Sequence, residues 1–180
     1  VPITPDKKDW TWVLERVCPE CGFDAAALGR AEIGRSIRDN ARAWPPLLAD
    51  DRTRLRPSED RWSALEYACH VRDVFSLYDE RLQLMLTQDD PAYPNWDQDE
   101  SAVRDRYPEQ DPGRVADELV AAANKLADAF DRVSGDGWER TGTRSDGARF
   151  TVDSFARYLV HDPVHHLHDV RDGYAHLQTR

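Results

Sequence analysis

The run from Phe155 to Val170, FARYLVHDPVHHLHDV, carries four of the chain's six histidines within eight residues. Its apolar residues recur at helical spacing. At 3.6 residues per turn His161, His165 and His168 project from one side, while His166 points a quarter-turn or more away. Imidazoles at i and i+4 make half of a divalent-metal site, because rings on consecutive turns converge on one ion. Pro163 lies between them, where it removes a backbone hydrogen bond and predicts a kink. The other half of such a site must come from a second element facing this helix, and that requirement narrows the folds to be considered.

Three further helices are written in the sequence. Between Asp24 and about Trp44, Ile33, Ile37, Ala41 and Trp44 mark one face, and Pro45-Pro46 predicts a stop. Pro57-Ser58-Glu59-Asp60 predicts the start of a second helix with Ser58 as N-cap, running to about Thr87. Its inward stripe is Tyr67, Val71, Val74, Tyr78 and Met85, and His70 falls within that arc. Asp111 or Gly113 opens a third helix through Val115, Leu119, Ala122, Leu126, Phe130 and Val133, ended by Gly135 and Gly137. Two β-leaning pieces, WERTGTR and ARFTV, flank Ser145-Asp146-Gly147 and predict a small hairpin. Thr151 or Asp153 then caps the fourth helix. Four helices with one long crossover describe an all-α four-helix bundle. The crossover, residues 89–112, has four prolines, and a connection this long is expected to cover something.

Bundles assemble metal sites from inward side chains on facing helices, so His70 is placed to meet the His161/His165 pair. Taken singly, an inward histidine is usually a core residue and a His-rich helix end usually faces water. The i, i+4 pair, the third histidine and the fold class together favour a three-histidine site. Three imidazoles leave a coordination position open, the layout of a catalytic zinc. Water there is acidified and a thiol is held as thiolate. Glu66, Asp73 and Asp162 are candidates to hold the non-ligating ring nitrogens. A fourth protein ligand, His168 or Asp162, would instead close the sphere and describe a stabilising, non-enzymatic ion.

The chain has 180 residues and a formal charge of −10. The length suits one domain, and the acidity argues against a nucleic-acid partner, which requires a basic face. No apolar run approaches the roughly 20 residues that span a bilayer, so no membrane partner is expected. VPITPDKKDWTW lacks an apolar signal-peptide core, which gives a cytoplasmic expectation. Residues 1–22 form an extension in which Trp10, Trp12, Val13 and Leu14 are expected to lie on the bundle domain, residues 23–180. The extension ends in Cys18-Pro-Glu-Cys21-Gly. Half of a zinc ribbon looks like this, but a second CxxC is missing, and no βαβ pattern accompanies it as a redox motif requires. With Cys69, these are read first as reduced structural or incidental thiols. A redox pair or peripheral zinc site at Cys18/Cys21 is the competing reading.

The residues W62-S-A-L-E-Y-A-C-H70, the hairpin with S145-D-G, and F150-T-V leading into H161-D-P-V-H165-H resemble the DinB/YfiT-like superfamily. The resemblance covers nearly all of the chain from about residue 24. It implies an up-down-down-up four-helix bundle, often dimeric, with a divalent metal held by three histidines: here His70, His161 and His165. Relatives often end in a His-His pair whose second member is the ligand, which here makes His166, with Asp162 one turn before it, the alternative. Characterised relatives include transferases and isomerases that use bacillithiol or mycothiol. The resemblance therefore implies a metal-dependent thiol S-transferase acting on small electrophiles; for the ion, imidazole ligands favour zinc, and nickel fits them too. A non-enzymatic, stress-associated metal-binding bundle is the alternative function.

Overall fold

The computed structural model describes residues 9–178. Six α-helices carry the fold: α1 (Ile33–Arg42), α2 (Trp44–Leu48), α3 (Ala64–Thr87), α4 (Gln98–Arg104), α5 (Pro112–Asp131) and α6 (Val152–Gln178). The four long ones form a bundle in which α5 and α6 each pack against both α1 and α3. Its core holds the expected faces: Ile33, Ile37, Ala41 and Trp44 of α1 and α2, Val71, Val74 and Met85 of α3, and Leu119, Leu126 and Phe130 of α5 are buried. The helices α1 and α5 cross closely at Gly34, where a Cβ would run into the Asp131 carboxylate.

Two helix boundaries differ from those expected. The second long helix begins at Ala64 rather than near Ser58, because Ser63 and Glu66 form a reciprocal capping box. The Ser63 Oγ accepts from the Glu66 N–H, and the Glu66 carboxylate accepts from the Ser63 N–H. Ser58 is spent in its own turn, donating to the Asp60 carboxylate at 2.6 Å. The first long helix begins at Ile33, not Asp24. Leu28 and Gly29 are extended and divide the preceding stretch into two 3-10 turns, Ala25–Ala27 and Arg30–Glu32. Pro45-Pro46 does not end helical structure either. The prolines occupy the first turn of α2, where no backbone donor is needed.

The expected hairpin is present as β2 (Thr141–Arg144) and β3 (Arg149–Thr151), closed through Gly147 at φ +95. A strand within the crossover, β1 (Ala92–Tyr93), adds to it in parallel with Ala92 opposite Thr143. This pins the crossover and sends Trp96 back over the bundle. Thr151 and Ser154 then cap α6 by exchanging backbone and hydroxyl hydrogen bonds at 3.0–3.1 Å.

Pro163 does not interrupt α6, which runs through it for 27 residues. The Asn40 amide donates to the Pro163 carbonyl at 2.8 Å, and its oxygen accepts from the Trp44 indole at 3.0 Å. Buried between α1 and α6, this relay fixes the rotation of the histidine-bearing helix. The N-terminal segment from residue 9 lies along the same helix, with Val13 and Cys18 buried. Arg157 of α6 donates to the carbonyls of Ala25 and Leu28. The first eight residues of the expected extension lie outside the described residues. Among those described, no helix is long and apolar enough to cross a membrane.

Candidate metal centre

Helix α6 presents two overlapping i, i+4 pairs, His161/His165 and Asp162/His166. Consecutive helical residues are about 100° apart around the axis, so the pairs face different directions. Donor atoms within 4.8 Å of one another accordingly form two groups: His70, Asp162 and His166, and Cys18, Cys21, His161 and His165.

The first group lies between α3 and α6. His70 Nε2 stands 3.4 Å from Asp162 Oδ1, and His166 Nε2 stands 3.7 Å from Asp162 Oδ2. The rings of His70 and His166 meet edge to face at 4.8 Å. Both ring nitrogens of His70 and Oδ1 of Asp162 are buried without a hydrogen-bond partner. Buried polar atoms are nearly always partnered, so two orphaned atoms that face each other, His70 Nε2 and Asp162 Oδ1, with His166 Nε2 beside them fit a divalent cation. Burial alone would raise the Asp162 carboxyl, but His166 and His70 outweigh it and hold the group well below the usual carboxylate range. His70 is clamped between Trp96, stacked at 5.3 Å and 7°, and Trp62 at 5.5 Å. The outer nitrogen of His166, Nδ1, lies 3.1 Å from the Asp169 carboxylate. That second partner fixes the ring with Nε2 turned toward Asp162.

The second group lies between α6 and the N-terminal segment. Cys18 Sγ is 3.6 Å from His165 Nδ1, and the rings of His161 and His165 are 5.2 Å apart. Burial lowers His161 to about 4, helped by the neighbouring His165, and burial likewise lowers His165. Both rings are therefore neutral near pH 7, the form that ligates metals. Burial pushes the Cys21 thiol up to about 11, against a backbone hydrogen bond from Phe23.

The expected set of His70, His161 and His165 is thus divided between two places. His161 and His165 stay together, while His70 falls with the alternative pair, Asp162 and His166. Glu66 does not hold the His70 ring: its carboxylate is taken by Arg56, at 2.9 Å from Nε, and by the Ser63 cap. Asp73 accepts from the Tyr107 hydroxyl at 2.6 Å and from Arg72. His168 is exposed, with its ring 6.4 Å from that of His165, and joins neither group. Two contributors had no assigned place at the site. Trp96 arrives from the crossover, and Cys18/Cys21 meet histidines 140 residues or more away. Their only sequence signal was a CxxC and an HxxxH lacking partners of their own.

A family model described as the DinB superfamily matches residues 35–170. YfiT from Bacillus subtilis, described as a probable metal-dependent hydrolase with an unusual four-helix bundle topology, is a similar solved structure. The likeness spans 91% of this chain and 91% of that one, with a TM-score of 0.71 and 14% sequence identity. At that identity the likeness establishes the fold. No curated protein matches the chain.

Proposed function

The chain belongs to the DinB superfamily, and on that premise we propose that it is a metal-dependent enzyme joining a low-molecular-weight thiol to a small electrophile, with its ion held by His70, Asp162 and His166. The observation that carries this reading is the convergence of three donors, His70 buried and Asp162 and His166 partly buried, with no fourth side chain among the described residues to complete a tetrahedron. A divalent ion such as zinc or nickel supplies a Lewis acid there, one that favours the deprotonated form of a thiol or water in its open position.

The chain's own residues define the rest. Trp62 and Trp96 fix the plane of His70 and keep water from its faces. Asp169 orients His166. Arg81 is buried, donates to the Pro94 carbonyl at 2.7 Å, and makes no salt bridge among the described residues. It shares Tyr78 and Tyr158 as neighbours with Asp162. A buried guanidinium without a carboxylate suits the anionic end of a thiol cofactor.

Hydrolysis is the second reading. It is favoured by the similarity to a structure described as a probable metal-dependent hydrolase, since the same open position accepts water. One experiment separates the two. Zinc- or nickel-loaded protein is given an activated aryl halide with and without a small thiol, and an activated ester without thiol. Thiol-dependent conjugation, lost in His70→Ala and His166→Ala, supports the transferase. Thiol-independent ester cleavage lost in the same variants supports the hydrolase. Full metal occupancy with neither activity sinks both and leaves the ion a stabilising part.

A further inference from the structure

We propose that Cys18, Cys21, His161 and His165 hold a second divalent ion in a closed Cys₂His₂ site that fastens the N-terminal segment to α6. The proposal is independent of the catalytic reading, because the two donor sets share no residue.

The spacing fits tetrahedral zinc. Bonds of about 2.3 Å to sulfur and about 2.0–2.1 Å to nitrogen, at tetrahedral angles, place neighbouring ligand atoms roughly 3.3–3.8 Å apart. Cys18 Sγ and His165 Nδ1 are 3.6 Å apart, and all four donors lie within 4.8 Å of one another. The ring of His165 has the orientation a ligand needs. With Nδ1 turned to the sulfur, Nε2 faces Glu20 at 3.5 Å and Asp169 at 3.9 Å, the carboxylate partnership common behind metal-bound imidazoles. His161 Nε2 is buried and has no hydrogen-bond partner.

The loop is shaped for the task. The Cys18 N–H donates to the Phe23 carbonyl and the Gly22 N–H to the Cys18 carbonyl, both at 2.9 Å. Gly22 takes φ +75, a conformation open to glycine, and so closes CPECG into a turn that aims both sulfurs at α6. Trp10 covers His161 and His165 at 5.5 and 5.2 Å, and Phe23 covers His161 at 5.7 Å. Four protein ligands under an aromatic lid leave no position for substrate, which is the structural rather than the catalytic kind of zinc site. The segment it fastens contains only short 3-10 turns between residue 9 and α1. Such a segment gains order from a cross-link that its own hydrogen bonds do not supply.

The test is metal stoichiometry on protein prepared under reducing conditions with zinc present, comparing wild type, Cys18→Ser/Cys21→Ser, His70→Ala and Cys69→Ser. The expected result is about two ions per chain in wild type and Cys69→Ser, and about one in each of the other variants. Cobalt loading gives a second readout that does not depend on the cysteine variant folding. Wild type and His70→Ala should both show a thiolate-to-cobalt charge-transfer band. A wild type with about one ion and no such band would overturn the proposal. So would a Cys18–Cys21 disulfide in the intact mass of protein isolated without oxidant.

Discussion

The two donor groups on α6 are built from the same helical turn yet have opposite characters. His70, Asp162 and His166 come from two long bundle helices that a large apolar core already holds in place. Cys18, Cys21, His161 and His165 join that rigid helix to a segment with little regular structure. A site between rigid elements can leave a ligand position open, because the fold does not depend on the ion. A site at the end of a loosely structured segment has more to gain from closure, because the ion supplies the order. The difference teaches that ligand count follows from what the scaffold lacks.

Exchanging the consequences of adjacent residues is the hardest challenge to this view. His166→Ala should reduce metal-dependent turnover by about 10³-fold or more, a small part of what enzymes supply, while shifting the melting temperature little. His165→Ala, one residue earlier, should retain most activity and lose stability. Steady-state kinetics beside thermal melts on both variants decides it. Equal effects on both measurements from both substitutions would merge the two sites into one.

Removing the ion from the closed site is the next largest effect. Cys18→Ser/Cys21→Ser, or chelation of the His70→Ala variant, should cost about 3 kcal/mol or more, a fall in melting temperature of roughly 6–12 °C for a chain of this size. Limited proteolysis should then cut first between Trp10 and Gly29. Cleavage in the α4 crossover with the N-terminal segment intact would break the assignment.

The bundle and the histidine helix were legible because apolar spacing and turn residues are local signals. Residues Val115, Leu119, Leu126 and Phe130 show the helical period whatever they later pack against. The partition of the donor residues into two groups was not legible. Helical geometry correctly set His166 apart from His161 and His165, but which face meets His70 depends on the rotation of α6. That rotation is fixed by Asn40 against Pro163, a contact spanning 123 residues. The second helix start was misplaced for a local reason, since two serines each precede acidic residues. Only Ser63 has its glutamate at the third position, where both capping bonds close. The CxxC gave half of the second donor group, and nothing in its own neighbourhood names the other half.

A smaller effect probes the scaffold itself. Burial alone would raise Glu66, but Arg56 and Ser63 outweigh it and hold its carboxyl below the ordinary range. Glu66→Gln should cost about 2–3 kcal/mol in urea unfolding near neutral pH, since it leaves a mostly buried guanidinium without its partner. With a folded pKa below the unfolded value, the wild-type contribution is complete above about pH 4.3 and is lost as pH falls through the folded value. The difference between variant and wild type should therefore shrink in acid. A difference that stays constant in acid would mean that the capping box, not the charge, holds the start of α3.

The smallest expected effect bears most directly on the comparison, because one residue belongs to both sides. Asp169 lies 3.1 Å from His166 Nδ1 and 3.9 Å from His165 Nε2, and its other neighbour is Arg61. Its carboxyl is held low by the two imidazoles despite its burial, so it stays charged. Asn in its place keeps the shape, removes the charge and weakens the outer hold on both rings. Outer partners of this kind alter metal affinity by about 10-fold or more. The closer contact predicts the larger loss at the open site, with a lesser one at the closed site, where four ligands share the ion. Titrating both ions with a chromophoric chelator in Asp169→Asn measures the two losses separately. A loss confined to the closed site would show that His166 is oriented by its packing against Tyr67 and His70, and that Asp169 serves the segment rather than the chemistry.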